Sequence, residues 1–190
     1  QALNSDKGDG AAISLGGSDT TVEIDGAVFK DNIAKNNGGV ISAKSGSKLI
    51  LNDAEATGNK ASSFGGFLYN EGATATIYDS TFDKNKANNG GCMYLFTDSV
   101  TNVYNSVFND NTASGNGGAL FVYTGGTPAT IQGCAFNGNI ADGAGGAVYF
   151  LISGDVTNCN FTNNTATNGA GGAIDMYSGT VSNCNFTNNR

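Results

Sequence analysis

The stretch Phe136-Asn137-Gly138-Asn139-Ile140-Ala141-Asp142-Gly143-Ala144-Gly145-Gly146-Ala147-Val148 decides the fold, because its parts recur along the chain. Phe with Asn three residues later returns at Phe29/Asn32, Phe82/Asn85, Phe108/Asn111, Phe161/Asn164 and Phe186/Asn189. Once the aromatic is replaced, where Ala56 precedes Asn59. With Ala56 counted, the intervals are 27, 26, 26, 28, 25 and 25 residues. Two residues after the Asn stands Ala34, Ala61, Ala87, Ala113, Ala141 or Ala166, and a glycine pair follows each. Gly10-Ala11 is a degenerate first copy of that pair. A near-constant period of this length marks a stack of repeats, each one supersecondary unit.

Within a unit, apolar residues alternate with the period of two of a strand. Five residues before the Phe position stand Ile24, Leu51, Ile77, Val103, Ile131, Val156 and Val181, and two before it stand only Ala, Ser or Cys. After each glycine pair the second residue is aliphatic or Met, as in Ile41, Leu68, Met93 and Leu120. The third is then expected to face outward, and so is the first, which makes Phe67 and Cys92 outward substitutions of an Ala/Val position. Gly and Asn interrupt every helical window. The expected fold is all-β: a parallel β-helix of about seven coils stacked roughly 4.8 Å apart. Residues 1–9 form a lead-in and residues 10–190 the array. Because residue 190 follows directly on a repeat motif, the array is expected to continue or to stack on another copy.

Stacking turns columns of sequence into ladders in space. The column Asn32, Asn59, Asn85, Asn111, Asn139, Asn164 and Asn189 is expected to form an inward amide ladder that satisfies turn backbone.

Composition narrows the chemistry. Gly 29 and 26 Asn together fill 55 of 190 positions, only 13% of residues are charged, and there is no His. Without His there is no Ser-His-Asp or Cys-His nucleophile system and no His-ligated zinc. A formal net charge of -7 argues against nucleic acid and anionic membrane surfaces as partners. No apolar run approaches the roughly 20 residues of a membrane span, so direct membrane insertion is not expected.

The pairing of FKDN, FDKN, FNDN, FNGN and FTNN with GGVI (38–41), GGAL (117–120), GGAV (145–148) and GGAI (171–174) resembles the repeats of the chlamydial polymorphic outer-membrane proteins. Adhesin-like surface proteins of archaea, other bacteria and protists carry similar repeats. The resemblance implies a right-handed β-helix, exported to the cell surface or beyond, acting in adhesion or in a surface layer without catalysis. A polysaccharide-active β-helix enzyme and a filament or sheath subunit stacking end to end are the alternatives.

Several residues are candidates for function. Tyr69, Tyr94, Phe121 and Tyr149 in the outward column, with Phe96, Tyr123 and Tyr177 two residues further on, are expected to form an exposed aromatic stripe. Such a stripe suits a surface glycan or protein receptor, or a further copy of the chain. Replacing Tyr94, Phe121 and Tyr149 by Ser is expected to leave folding intact and weaken adhesion. Asp53 and Asp79, on adjacent coils, form a small acidic column whose alternatives are a calcium site and turn caps. No cofactor is expected beyond that calcium. Cys134, Cys159 and Cys184 share a column at 25-residue spacing, with Cys92 elsewhere. Without C-x-x-C spacing they read as stacked buried thiols, one pair of which would be open to oxidation in a secreted protein. Asn160, Asn163 and Asn185 sit in glycosylation sequons. A regular ice-binding plate is not expected, because the column Lys30, Thr57, Asp83, Asn109, Asn137, Thr162 and Thr187 is mixed.

Overall fold

A computed structural model describes residues 4–5, 8–125 and 127–190. Of the expected lead-in, residues 1–3, 6 and 7 lie outside the described residues. Asn4–Ser5 pairs in parallel with Ile33–Ala34, so the lead-in already contributes a strand to the array.

The earlier coils are each built from four short strands. In the coil that begins at Ala56's strand these are Glu55–Thr57, Lys60–Ala61, Leu68–Glu71 and Thr74–Tyr78. Each strand pairs in parallel with its counterpart one coil away. The result is an all-β parallel solenoid with a repeat of about 26 residues, and no helix among the described residues is long and apolar enough to cross a membrane. The strands form a seven-stranded, a twelve-stranded and a second seven-stranded sheet. The large sheet exists because Val148–Thr157 runs without a turn through two strand positions that earlier coils keep separate. That straightening fits a 25-residue interval there in place of 28.

Both glycines of each pair are dictated by geometry, for different reasons. The first has φ between 59° and 68° in all seven copies, counting Gly10, a region that side chains disfavour. The second lies against the next coil: a Cβ on Gly39, Gly66, Gly91 or Gly118 would collide with the carbonyl oxygen of Gly66, Gly91, Gly118 or Gly146 respectively. The turn they make also breaks the alternation. Val40, Phe67, Cys92, Ala119 and Ala147 all point inward and are fully buried, together with the aliphatic residues that follow them. Phe67 and Cys92 therefore change the core, and the expectation that they face outward is corrected.

The core is a set of stacked columns. Phe82, Phe108, Phe136, Phe161 and Phe186 lie in register, with ring centroids 4.8–5.0 Å apart and planes within 18° of parallel. Leu51, Ile77, Val103, Ile131 and Val156 form a second column, each at most 1% exposed. Packing is balanced across the coil. Phe150 occupies a column where other coils carry Ala43, Asn70, Leu95 and Val122. Its ring fits because residue 154 is Gly, where any Cβ would collide with it. One polar pair enters this region: buried Asn70 donates through Nδ2 to the Thr101 hydroxyl at 2.9 Å and accepts from the Ala73 N–H at 3.2 Å. With both bonds made, the buried amide is not left unsatisfied.

Candidate interaction surface

The strand after each glycine pair presents alternate side chains to the outside. Its first outward column reads Ser42, Tyr69, Tyr94, Phe121, Tyr149 and Asp175 in register. The second begins Lys44, Glu71, Phe96 and Tyr123. None of the aromatic residues expected in the stripe joins the main core inside the coils; Tyr69, Tyr94 and Phe121 form a separate buried cluster on its outside. Their exposure, however, is not uniform.

Tyr69, Tyr94 and Phe121 are only 6%, 7% and 6% exposed, which corrects the expectation of an open stripe through them. The reason is the coil spacing, which equals a ring-stacking distance. Tyr94 lies 4.6 Å from Phe121 at 14°, Tyr69 5.9 Å from Tyr94 at 18°, and Phe121 5.0 Å from Tyr149 at 44°. Each ring spends its faces on its neighbours and leaves an edge to solvent. Phe64 adds a cover, stacking on Tyr94 at 4.5 Å and 23°. Nothing in the alternation pattern points to Phe64. Its one signal is that it stands before a glycine pair where other coils have Asn or Ala.

Accessible aromatic surface therefore moves to the second outward column and toward the later coils. Phe96, Tyr123 and Tyr149 are half-buried, Leu151 is 41% exposed and Tyr177 87% exposed. The early end of the strip is polar. Lys44 bridges Asp9 at 2.6 Å and Glu71 at 3.5 Å, and its ammonium lies 5.3 Å from the Tyr69 ring centroid. The hydrogen bond to Asp9 leads the effects that hold the Lys44 pKa above its ordinary value. Burial, followed by the nearby Glu71 carboxylate, pushes the Tyr69 phenol up, so it stays neutral.

Inside the wall, the Asn column forms a continuous chain. Asn85 donates both its backbone N–H (3.0 Å) and Nδ2 (3.1 Å) to Oδ1 of Asn111. Asn111 repeats this toward Asn139 at 3.0 Å for each bond, and its Nδ2 is shared with the Phe82 carbonyl at 3.0 Å. The same pattern runs from Asn32 through Asn59 and from Asn139 through Asn164 to Asn189. These seven amides are structural parts of the turn.

Residues 3–150 match the family model of the right-handed beta-helix region. The chain belongs to the right-handed β-helix family. No curated protein and no solved structure matches it.

The remaining candidates can be placed on this β-helix. Asp53 and Asp79 are exposed turn residues with φ of 48°. Their column continues through Asn105, Gly133, Asn158 and Asn183, all with positive φ. Asp, Asn and Gly are the residue types that tolerate this backbone, so the turn accounts for the acidic pair. Cys134, Cys159 and Cys184 continue a ladder begun by Ser80 and Ser106, and all four cysteines are free thiols. Ser80 Oγ donates to the Tyr78 carbonyl at 2.6 Å and accepts the Ala54 N–H at 3.1 Å. Cys159 Sγ does the same with the Thr157 carbonyl at 3.2 Å and the Cys134 N–H at 3.3 Å. The neighbouring thiol is the leading influence on each, lowering the Cys159 pKa and raising that of Cys134. Asn160, Asn163 and Asn185 are all exposed, and Asn185 Nδ2 donates to Asn160 Oδ1 at 2.9 Å.

Proposed function

We propose that this right-handed β-helix is an extracellular or cell-surface module that works by attachment, as an adhesin or surface scaffold, and carries out no catalysis. The observation that carries this reading is the strip of Phe96, Tyr123, Leu151 and Tyr177, apolar groups left accessible beside rings that have stacked upon themselves. Accessible apolar surface of this kind marks interaction. The resemblance of the Phe-x-x-Asn and Gly-Gly-Ala-aliphatic repeats to chlamydial surface proteins points the same way. Leu151 beside the tilted Phe96 and Tyr123 rings and the open Tyr177 ring suits the mixed apolar side chains of a protein receptor.

The test is attachment itself. Beads coated with the chain are scored for binding to intact cells and to surface-protein extracts fixed on a plate. The variant Phe96→Ser/Tyr123→Ser/Tyr177→Ser is expected to lose at least about tenfold in attachment, equivalent to about 1.4 kcal/mol. Equal attachment by the variant, with its fold intact, contradicts the proposal.

A further inference from the structure

We propose that Asn168 is a self-modifying site, at which the folded chain converts its own side-chain amide into aspartate and isoaspartate through a succinimide. It is no part of the aromatic strip and stands whether or not that strip binds a receptor.

Five asparagines are followed directly by glycine: Asn37, Asn89, Asn116, Asn137 and Asn168. A glycine nitrogen has no Cβ beside it to shield it, so it can approach the side-chain carbonyl carbon of the Asn before it. To attack, that nitrogen must turn toward the carbon and give up its proton. An N–H held in a ladder must first break its hydrogen bond. Four of the five glycine amides are held in this way. Gly38 donates to the Phe64 carbonyl at 2.8 Å, Gly90 to Asn116 at 3.0 Å, Gly117 to Ala144 at 3.0 Å and Gly138 to Thr162 at 2.9 Å. The Gly169 N–H has no hydrogen-bond partner among the described residues.

The side chains divide the same way. Asn89 Oδ1 accepts the Asn116 N–H at 2.8 Å, and Asn116 Oδ1 accepts the Ala144 N–H at 2.8 Å. Asn137 Nδ2 donates to Asn109 Oδ1 at 3.0 Å, and Asn37 Oδ1 is buried. Asn168 is tied only through its main chain, whose N–H donates to the Asp142 carbonyl at 2.9 Å. Both Asn168 and Gly169 are exposed. Packing explains why glycine stands there: a Cβ at position 169 would collide with the Gly143 and Ala144 backbone of the adjacent coil. The coil stack therefore dictates the residue that leaves Asn168 open to attack.

In the reaction the Gly169 nitrogen attacks Asn168 Cγ, forms a C–N bond and loses its proton. The bond from Cγ to Nδ2 breaks, and the amide nitrogen leaves as ammonia. Water then adds to either carbonyl carbon of the five-membered ring and breaks its bond to the ring nitrogen. Opening at Cγ gives aspartate; opening at the main-chain carbonyl gives isoaspartate, with the backbone running through Cγ. One water is consumed, one ammonia is released, and nothing is oxidised or reduced. The product is one charge more negative than the formal -7 of the chain.

The full folded chain is incubated at pH 8 and 37 °C, and its five Asn-Gly peptides are followed by mass spectrometry, with isoaspartate identified by fragmentation. Asn168 is expected to convert at least about fivefold faster than any of the other four, the factor that one net hydrogen bond supplies. In urea, where the ladders are lost, all five are expected to convert at similar rates. Anion exchange of the folded chain is expected to show an early, more acidic species that is missing from Asn168→Ser and whose aspartate form elutes with Asn168→Asp. Conversion of any other Asn as fast as Asn168 in the folded chain overturns the proposal. So does an equal lead of Asn168 in urea, or persistence of the early acidic species in Asn168→Ser.

Discussion

Phe67 fills the space that Ala56 leaves in the stack of Phe rings. Its ring lies 5.1 Å from Phe82 and 5.5 Å from Phe29, the two rings on either side of Ala56 in the column. Other coils with Phe in the column have Val, Cys or Ala where this coil has Phe67. Phe67→Ala is therefore expected to destabilise by about 3–5 kcal/mol, because both sources of the ring are then missing. Ala56→Phe alone crowds the slot and costs about 1–3 kcal/mol. Combined, the two are expected to be milder than their sum, with a coupling of at least about 1 kcal/mol. Urea unfolding of the four proteins measures this, and strict additivity would show that the two sites do not share one space.

The amide ladder makes a sharper demand. Asn111→Ala removes the acceptor of two Asn85 groups and the donor to the Phe82 carbonyl, all buried. Each orphaned group costs about 1–3 kcal/mol, so the change is expected to exceed most single Leu→Ala losses. Amide hydrogen exchange should show lost protection first at the Asn85 N–H. Unchanged exchange there would mean that the ladder bonds are not holding the turn.

Glycine positions separate space from flexibility. Gly118→Ala places a Cβ against the Gly146 carbonyl and the Ile140 backbone, neither of which can swing aside. It is expected to prevent folding or to lower the thermal midpoint by well over 10 °C, since 1 kcal/mol shifts a chain of this size by about 2–4 °C. Gly16→Ala meets nothing within 4 Å and is expected to be close to neutral. Thermal melts followed by circular dichroism compare them directly.

Stability is expected to fall in alkaline solution. Burial pushes the Cys92 thiol well above its ordinary value of 9.0. Above pH 9 the unfolded chain releases this proton while the folded chain keeps it. The folded state then binds more protons, and stability declines with pH by about 1.4 kcal/mol per unit for each such thiol. Below pH 9 both states keep the proton and this contribution is flat. Unfolding free energies of the parent and Cys92→Ala between pH 8 and 10.5 should show a steeper decline in the parent. Parallel curves would contradict this assignment of the buried proton.

Much of the fold was legible in the chain. A fixed period, one aliphatic column and one Asn column suffice to define coils and ladders, because in a stacked coil each position meets its own counterpart. Two features were not. Counting by alternation from the glycine pair placed Phe67 outward, yet the turn at Gly65-Gly66 sends both Phe67 and Leu68 inward. Outward direction also failed to predict exposure at Tyr94, whose accessibility is set by Tyr69, Phe121 and Phe64. Those neighbours lie nearly a coil or more away along the chain.

These packing differences divide the aromatic residues into rings that hold the wall and rings that meet a partner. The most direct measurement takes affinity for a captured receptor and unfolding free energy on the same two variants, Tyr94→Ser/Phe121→Ser and Phe96→Ser/Tyr177→Ser. The first is expected to lose several kcal/mol of stability, because its rings are buried and stacked. The second is expected to keep its stability within about 1 kcal/mol and to lose at least about tenfold in affinity. Full affinity in the folded Phe96→Ser/Tyr177→Ser protein would contradict the assignment of this strip as the attachment surface.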